Sequence, residues 1–151
     1  MEARTKLSQA SNFGGIAFPL TNVHAGHAAT DTLSASYHSP HGLNCAWVTP
    51  AILELCAESV SDKVKMIGEA MGLTFSGNES NEEIGRLAGD KNRELMRACG
   101  IPSMEAYGLD REVVLSGADY VVNSGISPNC PTEMTKETAE RLFAIAYDAY
   151  R

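Results

Sequence analysis

The sequence predicts an all-α fold, a single helical domain of about six to seven helices. Three observations carry that prediction. Capping residues stand ahead of apolar stretches spaced by three and four, at Ser39-Pro40, Ser61-Asp62, Ser80 to Glu83 and Thr135. Gly72 and the Gly100–Pro102 step close two of these stretches. No apolar–polar alternation runs long enough to build a sheet. With 151 residues and no internal repeat, low-complexity tract or linker, the chain is sized for one domain.

Taken in order, residues 2 to 12 have helical character, and Gly14-Gly15 is expected to loosen the helix beyond them. Residues 22 to 36 are rich in Ala, Ser and Thr, small enough to pack closely against another helix. Ser39 reads as an N-cap with Pro40 at the first helical position. The next helix carries Leu43, Trp47, Ile52, Leu55 and Cys56, with a kink or restart expected at Thr49-Pro50. Ser61-Asp62 opens another, with Val64, Ile67 and Met71 on one face and Gly72 as its stop. Ser80 and Glu83 form a capping box for a helix with Ile84, Leu87, Ala88, Leu95 and Cys99. Residues 110 to 122 read as helix, although Val113, Val114, Val121 and Val122 keep a strand open. Thr135 caps a last helix with Ala139, Leu142, Phe143, Ala146 and Tyr150 turned inward.

Composition narrows the function. A net charge of −7 excludes general affinity for nucleic acid. No apolar run reaches the length of a membrane span, and the first residues lack the apolar core of a signal peptide. Cys45, Cys56, Cys99 and Cys130 form no C-x-x-C pair, and none stands beside a histidine in the sequence. They read as reduced thiols that pack a core, and the expected location is cytoplasmic.

Charge is unevenly spread. Residues 7–53 contain no Lys, Arg or Glu and a single Asp, Asp31, yet they hold all four histidines, His24, His27, His38 and His41. A stretch so poor in charge is expected to be buried in the domain or against a partner, where polar groups need a partner of their own. If residues 22 to 36 are helical, His24, His27 and Asp31 share one face, and the break at Ser39-Pro40 lets the following helix fold back. His27 and His41 then approach each other. Imidazoles from two packed helices are a common way to build a metal site in a helical domain, and they suit Zn²⁺ and Fe²⁺. The competing reading keeps the histidines as buried polar groups bonded to backbone carbonyls. His24 and His38 read as supporting or surface residues in either case. Asp31 is drawn toward a functional role by its isolation.

The run His27-Ala-Ala-Thr-Asp31-Thr-Leu-Ser-Ala-Ser-Tyr37-His-Ser-Pro40-His41-Gly42 resembles the signature of the iron-dependent (group III) alcohol dehydrogenases. The stretch from Leu43 to Pro50, the run Val64 to Gly72, Gly100-Ile101-Pro102 and Asn129-Cys130-Pro131 look like the same family, so the resemblance covers essentially the whole chain. It implies that residues 1–151 form the C-terminal helical metal-binding domain, with His27 and His41 at the positions of two metal ligands. Asp31 occupies the position of the family's second histidine, which lies near substrate and nicotinamide. A carboxylate there accepts hydrogen bonds and donates none when ionised, so a proton relay through it departs from the family pattern.

The same resemblance implies a divalent metal, Fe²⁺ or Zn²⁺, NAD or NADP, and a small alcohol or aldehyde substrate. Family members are much longer than this chain. No glycine-rich dinucleotide turn and no Asp-x-x-x-His motif occurs in it. The expectation is a fragment-like part of an oxidoreductase that needs a missing N-terminal nucleotide-binding domain, a split partner or a second copy of itself. Two alternatives stand beside it: a stand-alone helical metal-binding module and a non-catalytic structural subunit.

Overall fold

A computed structural model describes all residues, 1–151, as eight α-helices and one 3₁₀ turn, and no strand forms. The helices are α1 (Glu2–Thr21), α2 (Ala25–Tyr37), α3 (His41–Ala70), α4 (Asn81–Ala98), α5 (Met104–Tyr107), α6 (Arg111–Ser116), α7 (Ala118–Asn123) and α8 (Lys136–Asp148), with the 3₁₀ turn at Ser127–Asn129. The segment expected to be helical over 110 to 122 is two short helices that meet at Gly117, so the strand alternative falls away.

Helix α3 is the axis of the molecule. Trp47, Val48, Ala51, Leu53, Leu55, Cys56, Ala57 and Val64 leave the solvent along it. Around it pack α2, α4 and α8, and the core closes on Leu33, Met104, Val114, Val121, Leu142 and Phe143. Trp47 donates from Nε1 to the Pro102 carbonyl at 2.8 Å, and its ring meets Tyr107 edge-on at 5.4 Å. That gives a buried indole both a packing partner and a polar one.

The α3–α4 contact is unusually close because Gly85 and Gly89 carry no side chain there. A Cβ on Gly85 would lie 2.9 Å from the Glu54 carbonyl, and one on Gly89 would lie 2.7 Å from Oε1 of Glu54. Glu54 is thereby pressed against Arg93, a guanidinium only 3% exposed, which also binds Asp90 at 3.0 Å. A buried cation paired on two sides meets the requirement that buried charge be compensated.

The capping signals hold at several ends. Ser80 accepts from Glu83 N at 3.1 Å and Thr135 from Thr138 N at 3.1 Å. Gly72 adopts φ 94°, and Leu73 N returns to the Gly68 carbonyl at 3.0 Å to close α3. The inward face of α8 is as expected, with Ala139, Leu142, Phe143 and Ala146 buried and Tyr150 buried just beyond its end.

Four local expectations are corrected. Helix α1 does not loosen at Gly14-Gly15 but continues to Thr21. Neither glycine takes a positive φ, and glycine lowers helix propensity by about 1 kcal/mol without forbidding helical dihedrals. The interruption of α3 is not at Thr49-Pro50 but at Val60, with φ −141° and ψ 50°, directly before the expected restart at Ser61. Pro50 stays in the helix with its ring buried, and that burial offsets the one backbone bond it cannot make. Ser39 is not the cap of α3. Pro40 holds that position, and the buried Ser39 hydroxyl turns to Asn44 instead. Finally, α4 buries Ile84, Ala88 and Met96, whereas Leu95 and Cys99 face solvent.

Candidate metal centre

The site is built on the reversal between α2 and α3. Helix α2 begins at His24, which is in extended conformation and caps it by accepting from Gly26 N at Nδ1, 3.0 Å away. The His24 carbonyl takes the His27 N–H at 2.8 Å, so the cap fixes the first turn in which His27 lies. The helix ends at His38, whose left-handed φ of 51° turns the chain back toward Ser39-Pro40. His41 is the first residue of α3.

Asn44 locks the reversal. It has no exposed surface, accepts from the Ser39 hydroxyl at 2.6 Å and donates to Ser34 Oγ at 2.9 Å. One amide therefore joins the last turn of α2, the connecting loop and the first turn of α3. On the α2–α3 face, Thr30 donates to the Gly26 carbonyl at 3.0 Å, and a Cβ on Gly26 would lie 3.1 Å from Cγ1 of Ile52. The bare Gly26 backbone is what lets α3 approach there.

The result brings together two of the four histidines. The His27 and His41 rings are 4.9 Å apart between centroids and tilted by 56°. Two imidazoles sharing one ion at a metal–nitrogen distance of about 2.0–2.1 Å, at a tetrahedral angle, would place their centroids roughly 5 Å apart. The two rings are in contact and tilted, and neither is stacked on the other. Phe18, near the end of α1, reaches within 6.4 Å of the His27 ring. No third His, Cys, Asp or Glu joins them in an arrangement able to hold a metal.

The other sequence candidates lie elsewhere. His38 is exposed at the turn. His24 is half-buried as the cap of α2. Asp31 is half-buried and borders a cavity of ≈290 Å³ between α2, α6 and α7, together with Tyr37, Val113, Gly117 and Tyr120. A second recess, ≈300 Å³, opens beside His27. It is lined by His24, Thr30, Cys45, Val48, Thr49 and Ile52 among others, a mainly apolar wall with a few polar groups.

Two features are not apparent from the sequence. Asn44 gives no periodic signal. The other is the contact of Cys56 Sγ with Cys130 Sγ at 3.7 Å, which joins residues 74 positions apart. Cys45 Sγ, 3.5 Å from Nε2 of His41, does have a signal, the i,i+4 spacing of the two residues on one helix.

Residues 1–147 match the family model described as the Fe-containing alcohol dehydrogenase family, C-terminal. A mitochondrial hydroxyacid-oxoacid transhydrogenase of Caenorhabditis elegans is 30% identical over 145 residues, covering 84% of this chain and 31% of that protein. An NADPH-dependent butanol dehydrogenase of Clostridium saccharobutylicum is 23% identical over 151 residues, covering 97% of this chain and 38% of that protein. Among solved structures, an alcohol dehydrogenase from Oenococcus oeni superposes with a TM-score of 0.86 at 28% identity, over 97% of this chain and 38% of its own. The chain thus spans only about a third of the length of these relatives. No helix is long and apolar enough to cross a membrane.

Proposed function

Because the chain belongs to the iron-containing alcohol dehydrogenase family, as its C-terminal helical domain, we propose that it supplies two metal-ligand histidines, His27 and His41, and one wall of the active-site cleft of an NAD(P)-linked alcohol dehydrogenase. The observation that carries this reading is the convergence of the two imidazoles at 4.9 Å. A divalent metal, Fe²⁺ in the first place and Zn²⁺ in the second, would act there as a Lewis acid on an alcohol or aldehyde oxygen. The chain's own residues do the rest of its part. His27 and His41 offer ring nitrogens from two helix starts, and the Ser39–Asn44–Ser34 bonds hold the end of α2 against the start of α3. The recess lined by Val48, Thr49 and Ile52 takes the carbon skeleton of a small alcohol or aldehyde. Asp31 remains the candidate for proton acceptance at the family's second-histidine position. Its place on the cavity toward α6 and α7 favours a metal pair that works without it.

Two ligands make half of a shell, since catalytic zinc sites usually keep three protein ligands. The remaining ligands and the nucleotide-binding domain come, in this reading, from another segment or another polypeptide, and residues 1–151 stand as one fragment-like domain. The surface of α1 supports that. None of its residues is buried, and Leu7, Phe13, Ile16, Phe18 and Leu20 are all more than half exposed. Because Phe18 adjoins His27, a chain covering the end of α1 arrives beside the incomplete shell. The absence of a third ligand group disfavours a stand-alone metal-binding module.

The test is to purify the protein with and without Fe²⁺ or Zn²⁺ and to measure alcohol-dependent NAD(P)H formation. The isolated chain is expected to be inactive, because nothing in it positions a hydride acceptor. Activity is expected when a polypeptide carrying the nucleotide-binding domain and the other ligands is added. Robust turnover by the 151 residues alone would overturn the reading.

A further inference from the structure

A second cluster of sulfur and imidazole lies outside the His27–His41 pair and takes no part in the proposed metal chemistry. Cys56 on α3 and Cys130, just after the 3₁₀ turn, are 74 positions apart in the chain, yet their Sγ atoms lie 3.7 Å from each other and both are buried. The contact is braced on either side. Thr132 donates to the Leu55 carbonyl at 3.1 Å and meets the Ser59 hydroxyl at 3.1 Å, and Asn129 donates to the Val23 carbonyl at 2.8 Å.

The two thiols are not equivalent. Hydrogen bonds from Cys56 and from the His24 imidazole hold Cys130 well below the usual thiol range. Cys56, bonded to Cys130 and desolvated by burial, is pushed above it. Cys130 also borders a surface cleft with Ser127, Pro128, Pro131, Glu133 and Met134. The dithiol thus has the parts of an oxidisable site: a thiol held below its usual range, a cleft beside it, and a second thiol in contact with it.

We propose that Cys56 and Cys130 are a redox modification site whose substrate is a small hydroperoxide and whose product is an intramolecular disulfide tying α3 to the segment after the 3₁₀ turn. The Cys130 thiolate attacks one peroxide oxygen, and the O–O bond breaks. One oxygen stays as the Cys130 sulfenic acid, and the other leaves as hydroxide or alkoxide and is protonated. The Cys56 sulfur then attacks the sulfenic sulfur. The S–O bond breaks, and the departing hydroxide takes the Cys56 proton and leaves as water. Two thiols lose two electrons and two protons, and one hydroperoxide is reduced. A short side-chain movement brings the sulfurs from contact to the bonded distance of about 2.05 Å.

The experiment treats the purified protein with hydrogen peroxide, alkylates the remaining thiols and maps peptides by mass spectrometry. The expected result is a Cys56–Cys130 cross-linked peptide, two hydrogens lighter than its reduced form and reversed by dithiothreitol. Its rate of formation is expected to be independent of protein concentration, with Cys45 and the exposed Cys99 still alkylatable. The Cys56→Ser variant is expected to accumulate a sulfenic acid on Cys130 that dimedone traps. The proposal is overturned if Cys56 stays alkylatable while Cys99 is consumed, or if Cys130 proceeds to sulfinic acid with Cys56 untouched. Should the variant fail to fold, the wild-type peptide map decides alone.

Discussion

Asn44 is the side chain on which the geometry of the histidine pair most depends. Its amide spends its capacity on Ser39 and Ser34, inside a contact that excludes water. Replacing it by Ala removes the short acceptor of the buried Ser39 hydroxyl and the donor to Ser34, and leaves a void behind them. Asn44→Ala is therefore expected to destabilise the fold by about 2 kcal/mol in urea unfolding, the usual cost of stranding buried polar groups. The pair that Asn44 supports is legible in the sequence. The fourteen-residue separation of His27 and His41 across a single helix break already brings them together. Asn44 itself is not, since an amide on an apolar helix looks the same whether it faces water or holds a hinge. His24 is equally hidden. Histidine is not among the favoured N-caps, and only its Nδ1 contact with Gly26 N gives it that role.

At the scale of elements, the ends of helices are more legible than their middles. Ser80, Gly72 and Thr135 act through bonds to residues two to four positions away, so their signals are local. The break in α3 is hard to place from sequence because Pro50 looks like an interruption until its ring is seen to be buried. The pairing of α6 with the end of α8 leaves no sequence signal, because it rests on Arg111 and Asp148, 37 positions apart. Arg111 grips the carboxylate through Nε at 3.0 and 3.1 Å and through Nη2 at 2.5 Å, and Arg151 adds a bond at 2.7 Å. These guanidinium hydrogen bonds, that of Arg111 foremost, hold the Asp148 carboxyl down to about 2, below its ordinary value of 3.8. A depressed carboxyl stabilises the folded chain fully above its unfolded value, and that stability is lost as the pH falls through the folded one. Asp148→Asn is therefore expected to melt below wild type at neutral pH. The gap should close between about pH 4 and pH 2, as thermal melts across that range will read.

At the scale of the whole molecule, the distribution of charge separates two kinds of apolar surface. The charge-poor stretch of residues 7–53 is expected from its sequence to be covered, and the structure divides it. Helix α2 and the first half of α3 are buried within the domain, whereas α1 stands in solvent with its apolar side chains uncovered. A core can be inferred from periodicity because its partner surfaces are in the same chain. A surface completed by another segment gives the same signal without saying what covers it. The proposed metal site and the uncovered helix meet at Phe18 and His27, which makes them two aspects of one proposed incompleteness.

One ion shared by His27 and His41, and by no other histidine of this chain, is the claim on which the proposed function turns. Imidazole NMR of the purified protein during a zinc titration tests it most directly, because it reads each ring even when binding is weak. The His27 and His41 resonances should shift together along one saturation curve while those of His24 and His38 stay in place. Independent titration of His27 and His41, or a shift of His38 in step with them, would contradict the claim.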